Sequence, residues 1–206
     1  MTTFFLIRHG TIDSSGKALA GRMAGVHLNE RGRQQAEALA RKLATSGIDA
    51  IYSSPLERAV ETAGPLARAL GLELALEQSL VEIDFGDWTN RSFVELSADS
   101  GFQRFNKFRS MAPVPGGEFM LQAQARMVIG LDELRRRHPH ATVAVVSHGD
   151  PIRAAVAWYA GIPLDLFQRI EISLASVSVV EIDDDAIRIL SINTTENPEA
   201  IRAQCD

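Results

Sequence analysis

Two histidines and two arginines of this chain stand where apolar runs give way to loops. Arg8-His9-Gly10 closes one run, Ser147-His148-Gly149 closes another, and Ser53-Ser54-Pro55 closes a third with Arg58 just beyond it. A neutral imidazole is a nucleophile and an imidazolium is a hydrogen-bond donor, so two histidines can divide those roles. The planar fork of arginine makes paired, charge-assisted hydrogen bonds to phosphate oxygens and keeps its charge at ordinary pH. The acidic segment Glu82-Ile83-Asp84-Phe85-Gly86-Asp87-Trp88 sets carboxyls inside an otherwise apolar stretch. Burial holds a carboxyl in its acid form, which suits a general acid, and Glu82, Asp84 and Asp87 all answer that description. Together these residue types point to a site for a multiply charged anion, with phosphate as the leading candidate.

The elements that must position them follow from hydrophobic periodicity. Phe4 to Ile7 and Thr142 to Val146 are short apolar runs that read as strands buried on both faces, and Ile48 to Tyr52 is a third strand. From Asn29 to about Ser46, Ala36, Leu39, Ala40 and Leu43 recur at helical spacing, with Asn29 as N-cap and Gly47 as stop. Ser53-Ser54-Pro55 opens a second helix ending at Gly71, which Gly64-Pro65 is expected to kink or interrupt. Further helices are expected from about Gly117 to Arg137 and from about Pro151 to Tyr159. Val177 to Ile182 and Ile187 to Ile192 flank three aspartates as a hairpin. Strands alternating with helices predict an α/β fold, a mostly parallel central sheet with helices on both faces. Ligands of such sheets bind beyond the carboxyl ends of the strands, where the histidines and arginines fall.

The bulk composition narrows the field. At 206 residues, 46% hydrophobic and 23% charged, one domain over 1–206 is expected, with a helical flap inserted at about 90–116. A formal net charge of −5 argues against nucleic acid or an anionic membrane as partner. The lone Cys205 precludes an intrachain disulfide, and the short apolar run after Met1 falls far short of a signal peptide. A cytoplasmic protein acting on a small phosphorylated substrate is therefore expected, without cofactor or metal.

Leu6-Ile7-Arg8-His9-Gly10 resembles the signature of the histidine phosphatases, the phosphoglycerate mutase-like superfamily. Ser53 to Ala59 with Glu61-Thr62-Ala63 resembles the family's second arginine segment, and Glu82 to Trp88 its acid segment. Pro115-Gly116-Gly117-Glu118 resembles its flap-end turn, and Ser147-His148-Gly149 its second histidine segment. The five occur in family order across nearly the whole chain. The resemblance implies a three-layer α/β/α sandwich, a phosphohistidine on His9, phosphoryl contacts from Arg8, Arg58 and His148, and Glu82 as proton donor. Gly10 and Gly149 are expected to let backbone approach the anion closely. The chain departs from the family pattern at Thr11-Ile12-Asp13-Ser14-Ser15, where a gapless alignment lets Ser15 stand for an asparagine that contacts phosphate. It departs again at Gly25, His27 and Asn29, and at Thr89-Asn90. Arg22 resembles a substrate-side arginine of the family.

Blander readings compete. His27 reads as a solvated loop residue, and Arg135-Arg136-Arg137-His138 as cations complementing a helix terminus. Phe93, Phe102, Phe105 and Phe108 read as attaching a helix to the core, and Phe85, Trp88 and Trp158 as core. Phosphomonoester hydrolysis is the leading function. The alternatives are phosphoryl transfer of the phosphoglycerate mutase type, a non-catalytic phosphate-binding module, and a metal-dependent hydrolase using His9, His148 and Asp150.

Overall fold

The structure, a computed structural model, describes residues 1–195, and Cys205 lies outside them. Six strands make one sheet: β1 (Thr2–Arg8), β2 (Ala50–Ser53), β3 (Leu74–Leu76), β4 (Thr142–Ser147), β5 (Val177–Ile182) and β6 (Ile187–Thr194). Their order is β3-β2-β4-β1-β5-β6, with the first four mutually parallel, β5 antiparallel to β1 and β6 antiparallel to β5. Among the described residues the α-helices are α1 (Glu30–Leu43), α2 (Glu57–Leu70), α3 (Phe93–Ser97), α4 (Ser100–Lys107), α5 (Met120–Arg137) and α6 (Gly149–Tyr159).

The apolar runs of β1 and β4 are continuous because both faces of these strands are covered. Phe4, Leu6, Val143 and Val145 face one core with Met127, Leu131, Ile152 and Ala155 from α5 and α6. Phe5, Ile7, Ala144 and Val146 face the other core with Leu39, Leu43, Ala63 and Leu66 from α1 and α2. This is the three-layer α/β/α arrangement that the alternating pattern predicts, and each fully buried Leu or Val contributes roughly 1.5–3 kcal/mol. The helix after β1 and the helix after β4 lie on opposite faces, so the crevice between these adjacent parallel strands is a topological switch point.

Local chemistry explains most boundaries. Asn29 caps α1 by accepting the Gly32 N–H at 3.0 Å. Gly71, at φ 65°, closes α2 in the left-handed conformation. Three expectations need correction. The helix α2 runs through Gly64-Pro65 without a break: the residue before a proline is strained by its own Cβ, and Gly64 has none. The cap of α2 is Leu56 with no side-chain hydrogen bond, while the Ser54 hydroxyl accepts the Leu56 N–H. Gly117 and Glu118 form a turn ahead of α5, in which the Glu118 N–H bonds the Asp84 carbonyl. Short 3-10 turns at Gln78–Leu80, Gly86–Trp88 and Leu164–Arg169, and the edge strand β3, escape periodicity because they are too short to display one.

Residues 90–116 contain α3 and α4. Phe105 is buried against Trp88, whereas Phe93 and Phe108 are exposed to 38% and 54%, so only part of the aromatic set attaches to the core. Trp158, expected in the core, is 58% exposed on the outer side of α6.

Candidate active site

Register brings the chemistry together. Arg8 pairs with Ser147 across β1 and β4, and Ser53 pairs with Val146 across β2 and β4, so three parallel strands end at one level. His9 and His148 each follow directly, and their rings lie 5.2 Å apart, centroid to centroid. Both are buried. The His9 Nδ1 lies 2.7 Å from the Gly10 carbonyl, and because a carbonyl only accepts, Nδ1 carries the proton and Nε2 keeps its lone pair. Burial, with the Arg58 guanidinium beside it, pushes the His9 imidazole down to about 3, so it is neutral at ordinary pH. Burial and the same arginine push His148 well below the usual imidazole range. Its Nε2 shares a 2.8 Å hydrogen bond with the Ser54 hydroxyl, and its buried Nδ1 makes no hydrogen bond.

Arg58 lies on the first turn of α2 and is 1% exposed. Its Nη2 donates to the Gly21 carbonyl at 2.7 Å, while Nε and Nη1 are buried without a partner. Arg8 donates through Nη1 to the Ile172 carbonyl at 2.6 Å, and its buried Nε is also unpartnered. Unsatisfied buried N–H groups are uncommon and each costs roughly 1–3 kcal/mol, more for charged groups. Two such guanidiniums beside two neutral imidazoles form a receptacle for an anion.

Glu82 lies across the same space. With His9, Arg8, Arg58 and Ser15 it lines a hollow of about 110 Å³. Its own Ile83 N–H donates to Oε1 at 2.9 Å. Burial, reinforced by the negative charge of Asp150, pushes its carboxyl up to about 7, against the opposing pull of Arg58 and Arg8. Ser147 donates to the Leu80 carbonyl at 2.7 Å, tying the end of β4 to the start of the acid segment.

The sequence-derived residues are brought together with two revisions. Gly10 and Gly149 are small for packing reasons. A Cβ on Gly10 would meet the Gly32 carbonyl oxygen at 2.8 Å, and its N–H is taken by Thr62 Oγ1. A Cβ on Gly149 would lie 3.0 Å from Arg8 Cζ. Arg22 is not on the wall of the hollow: its Nε donates to the Glu82 carbonyl at 2.7 Å and its Nη2 to Glu118 at 2.8 Å. His27 is an exposed loop residue paired with Glu61, and Arg135 pairs with Asp132 and Asp184. Asp150 is held by Arg109 and Arg153. Among the described residues no group of three or more His, Cys, Asp or Glu is placed to hold a metal ion, and no helix is long and apolar enough to cross a membrane.

Sequence reasoning missed Thr62, Arg109 and Arg126. Thr62 had a usable signal, since it follows Arg58 by one helical turn and its hydroxyl bonds the Arg58 carbonyl. The other two act through partners distant in sequence and carried no signal.

Comparison with known proteins gives the family. Residues 4–195 match the family model described as histidine phosphatase superfamily (branch 1). Phosphoserine phosphatase 1 of Hydrogenobacter thermophilus is 34% identical over 200 residues, covering 95% of this chain and 93% of that protein. Bifunctional protein Rv2228c of Mycobacterium tuberculosis is 35% identical over 198 residues, 94% of this chain, and the chain spans only 54% of its length. A mutant phosphoserine phosphatase from Entamoeba histolytica, solved in complex with phosphoserine, superposes with a TM-score of 0.86 at 26% identity, covering 96% of this chain and 99% of that one.

Proposed function

The chain belongs to the histidine phosphatase superfamily, and from that premise we propose how its own residues divide the hydrolysis of a small phosphomonoester. It is a phosphatase of small phosphorylated metabolites, and phosphoserine, the ligand of one relative, is the first substrate to try. In the first step His9 Nε2 attacks phosphorus in line and the bond from phosphorus to the ester oxygen breaks. Glu82 passes its proton to the departing alkoxide. The Gly10 carbonyl holds the Nδ1 proton of the imidazole that now carries positive charge. Arg8 and Arg58 neutralise the equatorial oxygens, and His148 and Ser15 contribute polar contacts. In the second step water attacks the phosphohistidine, the now ionised Glu82 takes a proton from that water, and the nitrogen–phosphorus bond breaks to release inorganic phosphate.

The observation that carries this reading is the pair of unpartnered nitrogens on buried Arg58, set beside an imidazole kept neutral with its nucleophilic nitrogen free. The test is release of inorganic phosphate from a panel of small phosphomonoesters headed by phosphoserine, with and without a chelator. Wild type should turn over at least one ester regardless of chelation, and His9→Ala none. Phosphate appearing on an added acceptor alcohol, with none released to water, would replace hydrolysis with transfer.

A further inference from the structure

Beyond the phosphate-sized hollow, and sharing Arg8 and Glu82 with it, opens a larger cavity of about 460 Å³. Asp150, two residues past His148 on the first turn of α6, lies on its wall. One carboxylate oxygen accepts from Arg109 Nη1 at 3.0 Å, and the other from Arg153 Nη1 at 3.1 Å. Arg109 comes from the segment after α4, and its environment fixes it. Its carbon Cζ sits 4.1 Å from the Phe105 ring centroid and 4.8 Å from that of Phe167, and Nη2 donates to Asn106 at 2.6 Å. The 90–116 segment is thereby tied to the strand end that presents His148.

An ion pair is an inefficient fastening for that purpose. Burial costs both charges their hydration, and a well-packed apolar pair of like volume holds two elements together at least as well. What the charges add is a field in the cavity, whose wall Glu82 shares with Asp150 and Arg109. Resting on the reading of Glu82 as proton donor, we infer that Asp150 and Arg109 form a charge pair that governs the protonation of Glu82, Asp150 favouring the acid form and Arg109 opposing it.

The electrostatics agree in direction. After burial, the negative charge of Asp150 is the foremost influence holding the Glu82 carboxyl in its acid form, and Arg109 in turn feels the charge of Glu82. The other groups facing Glu82 are Arg8 and His9 from the end of β1 and Arg58 from α2, with Arg22 and Arg126 on its backbone carbonyl. Those around Asp150 are Arg109, Arg153 and Arg8. Asp84 and Glu118 are engaged with Arg22, and Glu118 also with Arg126, so Asp150 is the carboxylate of this wall that acts on Glu82.

The sign is opposite for the two partners, and that separates this role from a merely structural one. A general acid must be protonated, so kcat/KM for an alkyl phosphomonoester falls as pH rises through the Glu82 ionisation. Asp150→Asn removes the negative charge and should move that alkaline limb to lower pH by roughly half to one unit. Arg109→Met removes the positive charge and should move it to higher pH, and Arg109→Lys should restore the wild-type position. Roughly one unit above the wild-type midpoint, a half-unit shift is about a threefold change in kcat/KM. Arg153→Met, at a less buried site, should act in the same sense as Arg109→Met and serves if the latter does not fold. An aryl phosphate, whose leaving group departs without a proton, should show no limb from Glu82 in wild type or in any variant. An Asp150→Asn limb that stays in place, or shifts of the same sign from both partners, overturns the inference. Glu82→Gln is the control: its alkaline limb should vanish, and a limb that persists defeats the assignment of Glu82 itself and this inference with it.

Discussion

The residue that defines the site is Arg58, because it buries a cation whose donors the protein leaves partly unpartnered. Burial of its guanidinium to 1% exposure, with two nitrogens that no protein atom satisfies, outweighs the attraction of the Glu82 and Glu57 carboxyls. Arg58→Met should therefore lower kcat/KM by about 10²–10³ while leaving the melting temperature unchanged or higher. Thermal denaturation with phosphate or vanadate adds a second arm. Either anion should raise the melting temperature of wild type and have little effect on the variant. The identities of Arg8, His9, Arg58 and His148 were legible because each follows a run whose apolar character marks it as a buried strand. The neighbours that set their chemistry were not. Nothing in the sequence says that Gly149 is a glycine to seat the Arg8 guanidinium, or that Gly10 is one to meet Gly32.

At the scale of elements, the acid segment has little regular structure of its own and is held from outside. Two guanidiniums, Arg22 from the long loop before α1 and Arg126 from α5, donate to the Glu82 carbonyl at 2.7 and 3.1 Å. Both also bind the Glu118 carboxylate, at 2.8 Å from Arg22 and 2.8 Å from Arg126 Nε. Glu118 is thus the keystone that fixes the backbone of the proton donor. Glu118→Ala should leave Arg126 on backbone carbonyls alone and Arg22 on the Glu82 carbonyl and the more distant Asp84, and cost roughly 1–3 kcal/mol of stability. Among molecules that still fold, kcat for an alkyl ester should fall about 10–100-fold with KM little changed. Steady-state kinetics beside a denaturant titration measures both effects. Periodicity could reveal that α5 exists and which face it buries. It could not reveal that Arg126 reaches across to Glu82, because such contacts depend on how elements meet in space. The contacts of Arg22 were hidden for the same reason: its loop was readable as a loop, and its direction was not.

For the whole molecule, the site imposes a dependence of stability on pH. His9, held to about 3, and His148, held well below the usual range, stay neutral in the folded chain but take protons in the unfolded one below about pH 6.5. Unfolding is thus favoured as pH falls from about 6.5 toward 3. Glu82 acts oppositely: raised to about 7, it stabilises the fold at low pH, and that contribution fades as pH rises through 7. Two imidazoles outweigh one carboxyl between about 4.5 and 6.5. Denaturation midpoints should decline with acidification in that window, and His9→Ala should flatten the decline. The sheet order, with α1 and α6 on opposite faces of neighbouring strands, makes this concentration of buried titratable groups possible at the switch point. The central claim is that His9 carries the phosphoryl group between two steps. Brief mixing with a ³²P-labelled substrate, quenching in alkali where phosphohistidine survives, and peptide mapping test it most directly. The label should lie on the imidazole of His9 and be absent from His9→Ala. Label on another side chain, or undiminished turnover without His9, would contradict it.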